Sequence, residues 1–430
     1  MKRTALSAVL LSVVLPLCAA EPGFTNVIAR QRWPWSPKVD IDFTVTGSNT
    51  CVKFIAQYDG VEPFTLAEKD LEGDFGFELK PGLHHVAWDP VRAGLGSTLL
   101  KNFRVTVAVD TIDRTYLILD LTDGSYTYAA TVPEGGWIAA DPANVRSKMV
   151  FRRIPAGTFT MGYPEDMITG TDCFKGLTDS WDTSNMRGRK MTISTDYYMA
   201  VYKTTTAQHF CATNAADGRV VDVSSKDITF QNCSYDNLRG RTNDTPRINW
   251  PTTMYDVSDG SVLAAYRRLT ANTLPVSWTI DLPTSAQWER AAKADTPTNQ
   301  YWSVGGKAED SYETLTNYIE KIAVWQFSGT VTGSLNRQRV GQLLPNGWGM
   351  YDFAGVAFEW ALDWKSHPES QTDPVGPVSQ SSGVRTRRGA YISTSKEKIH
   401  WFTPVWIGQY EQGTDKPGYR LCIHLKQIRK

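Results

Sequence analysis

Apolar and polar residues alternate along several short segments in the first 128 residues of the chain. Residues 39–45 place Val, Ile, Phe and Val at every second position, and residues 103–109 repeat this pattern. A period of two is typical of β-strands that bury one face. Three further strand candidates, each bounded by Gly, Pro, Asp or Asn, are residues 51–56, 76–79 and 85–88. Short strands at this spacing predict a β-sandwich of the immunoglobulin or fibronectin type over residues 21–128.

A segment with several turn-forming residues follows this region. Two Pro and two Gly residues interrupt residues 129–148, which predicts a linker between two domains. The second domain is expected over residues 149–426, and it begins with the apolar run Met149–Phe151. Since domain boundaries tend to fall in such linkers, a fragment beginning near Met149 is expected to fold by itself.

Two segments of the second domain have the spacing of amphipathic helices. Within residues 259–270, apolar side chains recur at intervals of three and four. The other helix is predicted to begin after Thr284, whose hydroxyl can cap it while Gln287 reaches back to the cap residue. Glu289 and Lys293 lie one turn apart on this helix and can pair. The remainder is rich in turns, so the domain is expected to be α+β.

The composition limits the partners and the compartment. The 430 residues include 45 Lys and Arg and 45 Asp and Glu, so the formal net charge is zero and no nucleic-acid partner is indicated. Residues 1–20 combine a basic start, an apolar run and small residues at the exit, which predicts a cleaved signal peptide. The protein is therefore expected to be exported to the periplasm or the extracellular space. No later segment is long and apolar enough to form a transmembrane helix.

Five Cys residues follow the predicted signal peptide, and no two have the C-x-x-C spacing of zinc or thioredoxin-like sites. Cys173, Cys211 and Cys233 fall in one turn-rich region, where an exported protein can form a disulfide. Unpaired buried thiols are the alternative. The odd number leaves at least one thiol free or paired with another chain.

The most specific feature of the sequence is residues 346–364, which read NGWGMYDFAGVAFEWALDW. Glycine, aromatic and carboxylate residues crowd this segment without the period of a helix or a strand. It resembles the N-G-x-G-L-Y-D-M-x-G-N-V-x-E-W signature of the formylglycine-generating, or sulfatase-modifying factor, family. Three further motifs follow the family's order: RIPAGTFTMG at 153–162, LPTSAQWE at 282–289 and GYRL at 418–421. The resemblance implies an α+β, C-type lectin-like fold for residues 149–426.

The resemblance also implies a calcium ion in the signature segment. The ligands would be the side chains of Asp352 and Glu359 and the main-chain carbonyls of Gly355 and Ala357. Calcium prefers six or more oxygen ligands and tolerates irregular backbone, which agrees with this set. The alternative is a loop closed by hydrogen bonds from backbone N–H groups to the two carboxylates. A second calcium site of the family maps to Asn317, but its partner carboxylate is replaced by Thr332.

The residues that carry the family's reaction are replaced in this chain. Formylglycine-generating enzymes oxidise a substrate cysteine with O₂ by means of Cu(I) held by two thiolates. Ser393 and Lys398 stand at these two cysteine positions, Ala390 replaces a Ser of the neighbouring motif, and Phe358 replaces a Trp. A hydroxyl is a poor ligand for Cu(I) and a protonated lysine is none, so bound copper is not expected.

The sequence therefore predicts a non-catalytic family member that binds or scaffolds a peptide, protein or glycan. Its binding groove is expected near Phe358, Tyr391, Ser393 and Trp401. The alternative is an oxidoreductase of the formylglycine-generating or non-heme-iron type with an altered metal centre. The iron enzymes of the family use histidines of an added helical domain, whereas the N-terminal region here has the pattern of strands.

Overall fold

The computed structural model describes most of the chain and divides it into two compact units. One unit contains the described residues up to Ala67 together with Gly73–Thr111, and the other contains Glu68–Glu72 and the described residues from Ile112 onwards. The described ranges are 20–175, 186–216, 227–230, 233–239, 257–326, 338–364, 370–375, 385–391, 394, 396–405, 407 and 417–425. The predicted signal peptide lies outside them except for Ala20. Within these ranges no helix has both the length and the apolar content that crossing a bilayer requires.

The N-terminal strands form two antiparallel sheets, with the orders β1-β2-β6-β5 and β4-β3-β7. The strands are β1 Gly23–Gln31, β2 Val39–Thr46, β3 Val52–Gln57, β4 Phe64–Thr65, β5 Leu71–Gly73, β6 Gly82–Trp88 and β7 Arg104–Val109. The predicted β-rich N-terminal region is confirmed, and β2 buries every second residue as expected. The prediction of a strand at 76–79 is wrong, because Gly76 has a left-handed backbone and only Leu79 makes an isolated bridge. Strand β1 has no apolar periodicity that predicts it, and none of its residues is fully buried.

The second unit is built around a six-stranded sheet with the order β14-β20-β13-β10-β8-β9. Its other strands form one three-stranded sheet, β11-β12-β18, and two pairs, β15-β16 and β17-β19. The strands are β8 Tyr116–Asp120, β9 Tyr126–Ala129, β10 Lys148–Ile154, β11 Gly157–Met161, β12 Arg189–Ile193, β13 Tyr197–Ala200, β14 Thr279–Asp281, β15 Ala323–Val324, β16 Ala354–Gly355, β17 Glu359–Trp364, β18 Gln371–Thr372, β19 Arg385–Arg388 and β20 Cys422–His424.

The second compact unit includes residues before the predicted linker. Strands β8 and β9 precede the predicted linker, yet β8 pairs with β10 along its whole length. The expected linker, 129–148, contains a short helix and a 3-10 turn, and its Trp137 and Val145 are buried. The compact units of the structure divide near residue 111, whereas the predicted domains are 21–128 and 149–426. The Pro and Gly residues of the segment shape turns inside the second unit.

The described helices include both predicted ones. The helices of the described residues are α1 Trp137–Ala140, α2 Thr206–Ala216, α3 Tyr235–Arg239, α4 Val262–Thr270, α5 Ser285–Lys293 and α6 Tyr312–Ile322. The two predicted helices are α4 and α5. Thr284 and Gln287 form the predicted capping box at the start of α5. The Glu289–Lys293 pair also forms, at 2.9 Å, and Glu289 is buried while the Lys293 side chain is 14% exposed.

The core of the second unit is rich in aromatic residues, and Trp288, Trp325 and Trp360 are almost completely buried.

The prediction of a disulfide among Cys173, Cys211 and Cys233 is wrong. Each is a free buried thiol, which was the alternative.

Candidate functional site

The signature segment is fixed at its start by Asn346. The amide of this side chain donates to Ala291 O near the end of α5 at 2.8 Å, and its oxygen accepts from the N–H groups of Trp348 and Met350 at 3.1 Å. One side chain thus bonds to backbone groups of the segment and of α5 that have no partner in a regular helix or strand. The loop is attached to α5, the helix that also carries Trp288.

The segment then turns through a left-handed backbone. Asp352, Gly355 and Val356 have φ values of 61°, 77° and 60°. Gly355 pairs in parallel with Val324 of β15, and a Cβ atom at Gly355 would lie 2.5 Å from Val324 O. The approach of two backbones therefore requires glycine at this position.

We expect Gly355→Ala to lower the free energy of unfolding by about 3 kcal/mol, because the added methyl meets backbone and the left-handed φ becomes strained. Gly170→Ala is the matched control, since Gly170 has a φ of 76° and nothing within 4 Å of its Cβ position. Urea denaturation of both variants measures the difference. Equal losses in the two variants would show that the contact with Val324 can relax.

Glu359 is the centre of a buried polar network beneath this turn. Its side chain has no exposed surface. Oε1 accepts hydrogen bonds from Lys203 Nζ at 2.6 Å and Arg420 Nη2 at 3.0 Å. Oε2 accepts from Trp288 Nε1 at 2.6 Å and Arg420 Nε at 3.1 Å. Burial alone would raise the pKa of Glu359, but the charges and hydrogen bonds of Arg420 and Lys203 lower it to about 2.

A second buried carboxylate, that of Glu289 on α5, is held in the same manner. Glu289 accepts from Lys293 at 2.9 Å, from Arg388 Nη2 at 3.2 Å and from Gly162 N at 2.6 Å. Both carboxylates therefore have two cationic partners and one neutral donor, which is what a charge away from water requires. Arg388 lies in β19 and Lys293 in α5, so the network joins separate parts of the chain.

The residues predicted to line a binding groove form an aromatic cluster. The ring of Phe358 stacks on Tyr391 with 6.0 Å between centroids and lies 5.9 Å from Trp401. Phe358 is buried, with Arg387 4.0 Å from its ring centroid, whereas Tyr391 and Trp401 are half-buried. Lys398 is exposed and places Nζ 4.6 Å from the Trp401 ring centroid. The cluster thus presents two partly open rings and an ammonium group; Ser393, the remaining predicted residue, lies outside the described residues.

Comparison with known proteins places this geometry in a family. The family model of the sulfatase-modifying factor enzyme 1-like domain matches residues 137–420 of this chain. The chain belongs to the sulfatase-modifying factor family. The predicted resemblance and the predicted α+β class are both confirmed. The matched region begins inside the predicted linker, which agrees with the buried Trp137.

Individual relatives are similar over parts of their length. The chain is 29% identical over 124 residues to a formylglycine-generating enzyme of Thermomonospora curvata, a match that covers 26% of this chain and 38% of that enzyme. It is 26% identical over 293 residues to the formylglycine-generating enzyme of Bos taurus, covering 61% and 70% of the two chains. Among solved structures, Treponema denticola variable protein 1 is similar with a TM-score of 0.40 and 17% identity, over 64% of this chain and 95% of that one.

The two positions that carry the family's copper cysteines have no thiol in this chain. Lys398 is exposed and lies against Trp401, and Ala390 is buried in the adjoining core. The cysteines of the second unit are elsewhere: burial raises the pKa of the thiols of Cys173, Cys211, Cys233 and Cys422. Within the described ranges no three His, Cys, Asp or Glu side chains are grouped so that they could hold a metal ion. The described arrangement does not fit copper.

The implied calcium site also fails a test of its donor set. Lys203 Nζ donates to Ala357 O at 2.8 Å as well as to Glu359 Oε1, so a cation already bonds two of the four expected ligands. The carbonyl of Gly355 accepts from Ala357 N at 2.8 Å, and Asp352 Oδ2 accepts from Gly341 N at 2.8 Å. This arrangement does not fit calcium. It is closer to the hydrogen-bonded loop, except that Glu359 is held by side chains and not by backbone.

Sequence reasoning did not find Lys203. Arg420 lies within the GYRL motif, which was a signal for that residue, whereas Lys203 lies just after β13 in a segment without any motif. Trp288 was interpreted as structural, and its indole is a hydrogen-bond donor to Glu359. Asn317, to which a second calcium site of the family was expected to map, lies on α6, and Thr332 lies outside the described residues.

Proposed function

We propose that this protein is a non-catalytic member of the sulfatase-modifying factor family that binds a peptide, protein or glycan at the aromatic cluster of Phe358, Tyr391 and Trp401. The observation that carries the proposal is the position of Lys398. At a place where the family's copper enzymes have a thiolate, this chain has an exposed ammonium packed on the Trp401 ring. An ammonium repels a metal cation and attracts an anion, so the change favours binding over oxidation.

The half-buried rings support a binding role. Tyr391 and Trp401 each combine a large apolar surface with a polar tip, the property that enriches both residue types at interfaces. Both rings pack against the ring of Phe358, which also lies against the guanidinium of Arg387. Rigid rings lose little conformational entropy when a ligand binds. With Lys398 at the edge, the surface suits a ligand that carries a carboxylate or another anion.

A binding screen tests this surface. Arrays of acidic and neutral peptides and glycans are probed with the wild type, Trp401→Ala and Lys398→Glu. We expect acidic ligands to be lost with either substitution, by about tenfold or more for a residue at the centre of a binding surface. Trp35→Ala and Lys307→Glu are the controls, since Trp35 is 89% exposed and the Lys307 side chain 49% exposed in other parts of the chain. Ligands retained by both cluster variants would place the binding site elsewhere.

We expect no formylglycine-generating activity, because Cu(I) needs two soft ligands that Ser393 and Lys398 do not supply. The copper-loaded wild type is incubated with a cysteine peptide that carries a sulfatase motif, and mass spectrometry follows the cysteine. The peptide is expected to remain unchanged. Ser393→Cys with Lys398→Cys is the comparison variant for copper uptake, and either single substitution is expected to leave the ion half-coordinated. Conversion by the wild type would support the alternative, an oxidoreductase with an altered metal centre.

We also propose export of the protein after cleavage near Ala20. The basic start and the short apolar run of residues 1–20 support it. N-terminal sequencing of the protein isolated from cells that produce it tests the cleavage, and an intact Met1 would contradict it.

A further inference from the structure

The carboxylate of Glu359 has its acceptor capacity filled by protein donors. A carboxylate offers about four acceptor sites. Arg420 takes two of them through Nε and Nη2, Trp288 Nε1 takes one and Lys203 Nζ another. All four residues are buried, and Lys203, Glu359 and Arg420 have 0% exposed surface. No oxygen lone pair of Glu359 is left for a further ligand.

The ammonium of Lys203 occupies the space between the oxygens that a loop cation would contact. It lies 2.8 Å from Ala357 O and 2.6 Å from Glu359 Oε1. Calcium binds oxygens at about 2.3–2.6 Å, so an ion that used both of these atoms would overlap Nζ. A buried calcium ion and the Lys203 ammonium would also repel each other strongly at such a short distance. The lysine and a divalent ion therefore exclude each other.

We propose that the ε-ammonium of Lys203 takes the place of a bound cation in the signature segment. The stability of the folded protein is then independent of calcium. The proposal does not depend on the binding role of the aromatic cluster. It assigns to a side chain the task that the family resemblance gives to a calcium ion, which is to neutralise Glu359 and to orient the carbonyl of Ala357.

The position of Lys203 in the chain allows it to act in this way. The backbone just before it is tied to the same loop, since Tyr351 N donates to Val201 O at 3.0 Å. Arg420 Nη1 donates to Ala200 O and Val201 O at 2.8 Å, and Arg420 Nη2 donates to Tyr351 O at 2.7 Å. These hydrogen bonds join the end of β13, the signature segment and the GYRL motif around the carboxylate of Glu359. Lys203 is part of the segment that follows β13, so its ammonium cannot exchange with solvent as a bound ion does.

The wild-type protein gives the first test. Its melting temperature is expected to be the same in excess calcium and in excess chelator. Terbium is the luminescent probe, because an ion bound at Glu359 would lie beside the indole of Trp288 and would be excited through it. No terbium luminescence that calcium can displace is expected. A chelator-dependent melting temperature, or such luminescence, would overturn the proposal if Glu359→Gln abolished it.

Removal of the ammonium gives the second test. Lys203→Met is expected to lower the melting temperature by about 5–10 °C, since the charge-assisted bonds to Ala357 O and Glu359 are lost. Lys307→Met is the matched control and is expected to melt as the wild type. The smaller Lys203→Ala, refolded with calcium, is expected to gain terbium luminescence. A Lys203→Ala variant that keeps its stability and gains no terbium would overturn the proposal; if neither variant folds, the wild-type titration decides it alone.

Discussion

Glu359→Gln is expected to lower the free energy of unfolding by about 3–5 kcal/mol, which is a large part of the stability of a typical domain. The substitution keeps the shape of the side chain and removes its charge. Lys203 and Arg420, both with 0% exposed surface, would then face a neutral amide. An amide also offers one acceptor oxygen where the carboxylate offered two, so Trp288 Nε1 or a cation loses its partner. Thermal and urea denaturation measure the loss.

The pH dependence separates this charge effect from a packing defect. The folded-state pKa of Glu359 is lowered to about 2 from its ordinary value of 4.5. A lowered carboxyl pKa contributes stability that is present above pH 4.5 and is lost as the pH falls towards 2. The stability difference between wild type and Glu359→Gln is therefore expected to shrink over that interval. Glu309→Gln is the control, because Glu309 is 72% exposed and should show a difference near zero at every pH. A pH-independent difference for Glu359→Gln would point to packing.

The two buried carboxylates explain why α5 is central to this fold. Glu289 lies on the helix and pairs with Arg388 of β19, while the neighbouring Trp288 donates to Glu359 of β17. Consecutive residues of one helix thus orient two strands that pair with each other. Buried ion pairs are weak evidence for stability, because desolvation offsets most of the attraction. Their directional bonds are better suited to fixing how β17 and β19 lie against the helix.

Local features of the fold were predictable from the sequence. The period of two along residues 39–45 identified β2, and the Thr284–Gln287 spacing identified both the start and the capping box of α5. These patterns depend on residues that are close in the chain, so a short window contains the whole signal. The aromatic cluster was predicted through the family motifs, which carry information on distant contacts that no local pattern holds.

The features that the sequence did not reveal depend on contacts between distant residues. Lys203 and Glu359 are 156 positions apart, and a lysine after a strand ordinarily indicates a solvated end. The predicted boundary at residues 129–148 differs from the division into compact units for a related reason. Strand β8 has a short apolar run that suits a sandwich as well as a central sheet, and only its pairing with β10 decides between them.

A fragment that begins at Met149 is expected to be insoluble or to unfold without a cooperative transition, whereas one that begins at Ile112 is expected to melt cooperatively. The shorter fragment lacks β8 and β9, which are two of the six strands of the central sheet. Leu117, Leu119 and Leu121 have 0% exposed surface, and burial of each contributes about 1.5–3 kcal/mol. Their loss approaches the whole stability of a domain, and β10 would become an exposed edge prone to aggregation.

The longer fragment lacks Glu68–Glu72, which belong to the second unit, and the contacts of Glu68 serve as an internal calibration. Glu68 accepts hydrogen bonds from Arg114 Nε at 2.9 Å and from the hydroxyls of Tyr126 and Tyr128 at 3.0 and 2.7 Å. Its absence is expected to lower the melting temperature of the fragment without removing the transition, and Glu68→Gln in the full chain measures that part separately. Calorimetry of both fragments and of this variant gives the comparison. A cooperative transition in the fragment that begins at Met149 would show that the sheet is complete without β8, and that the predicted linker is the boundary after all.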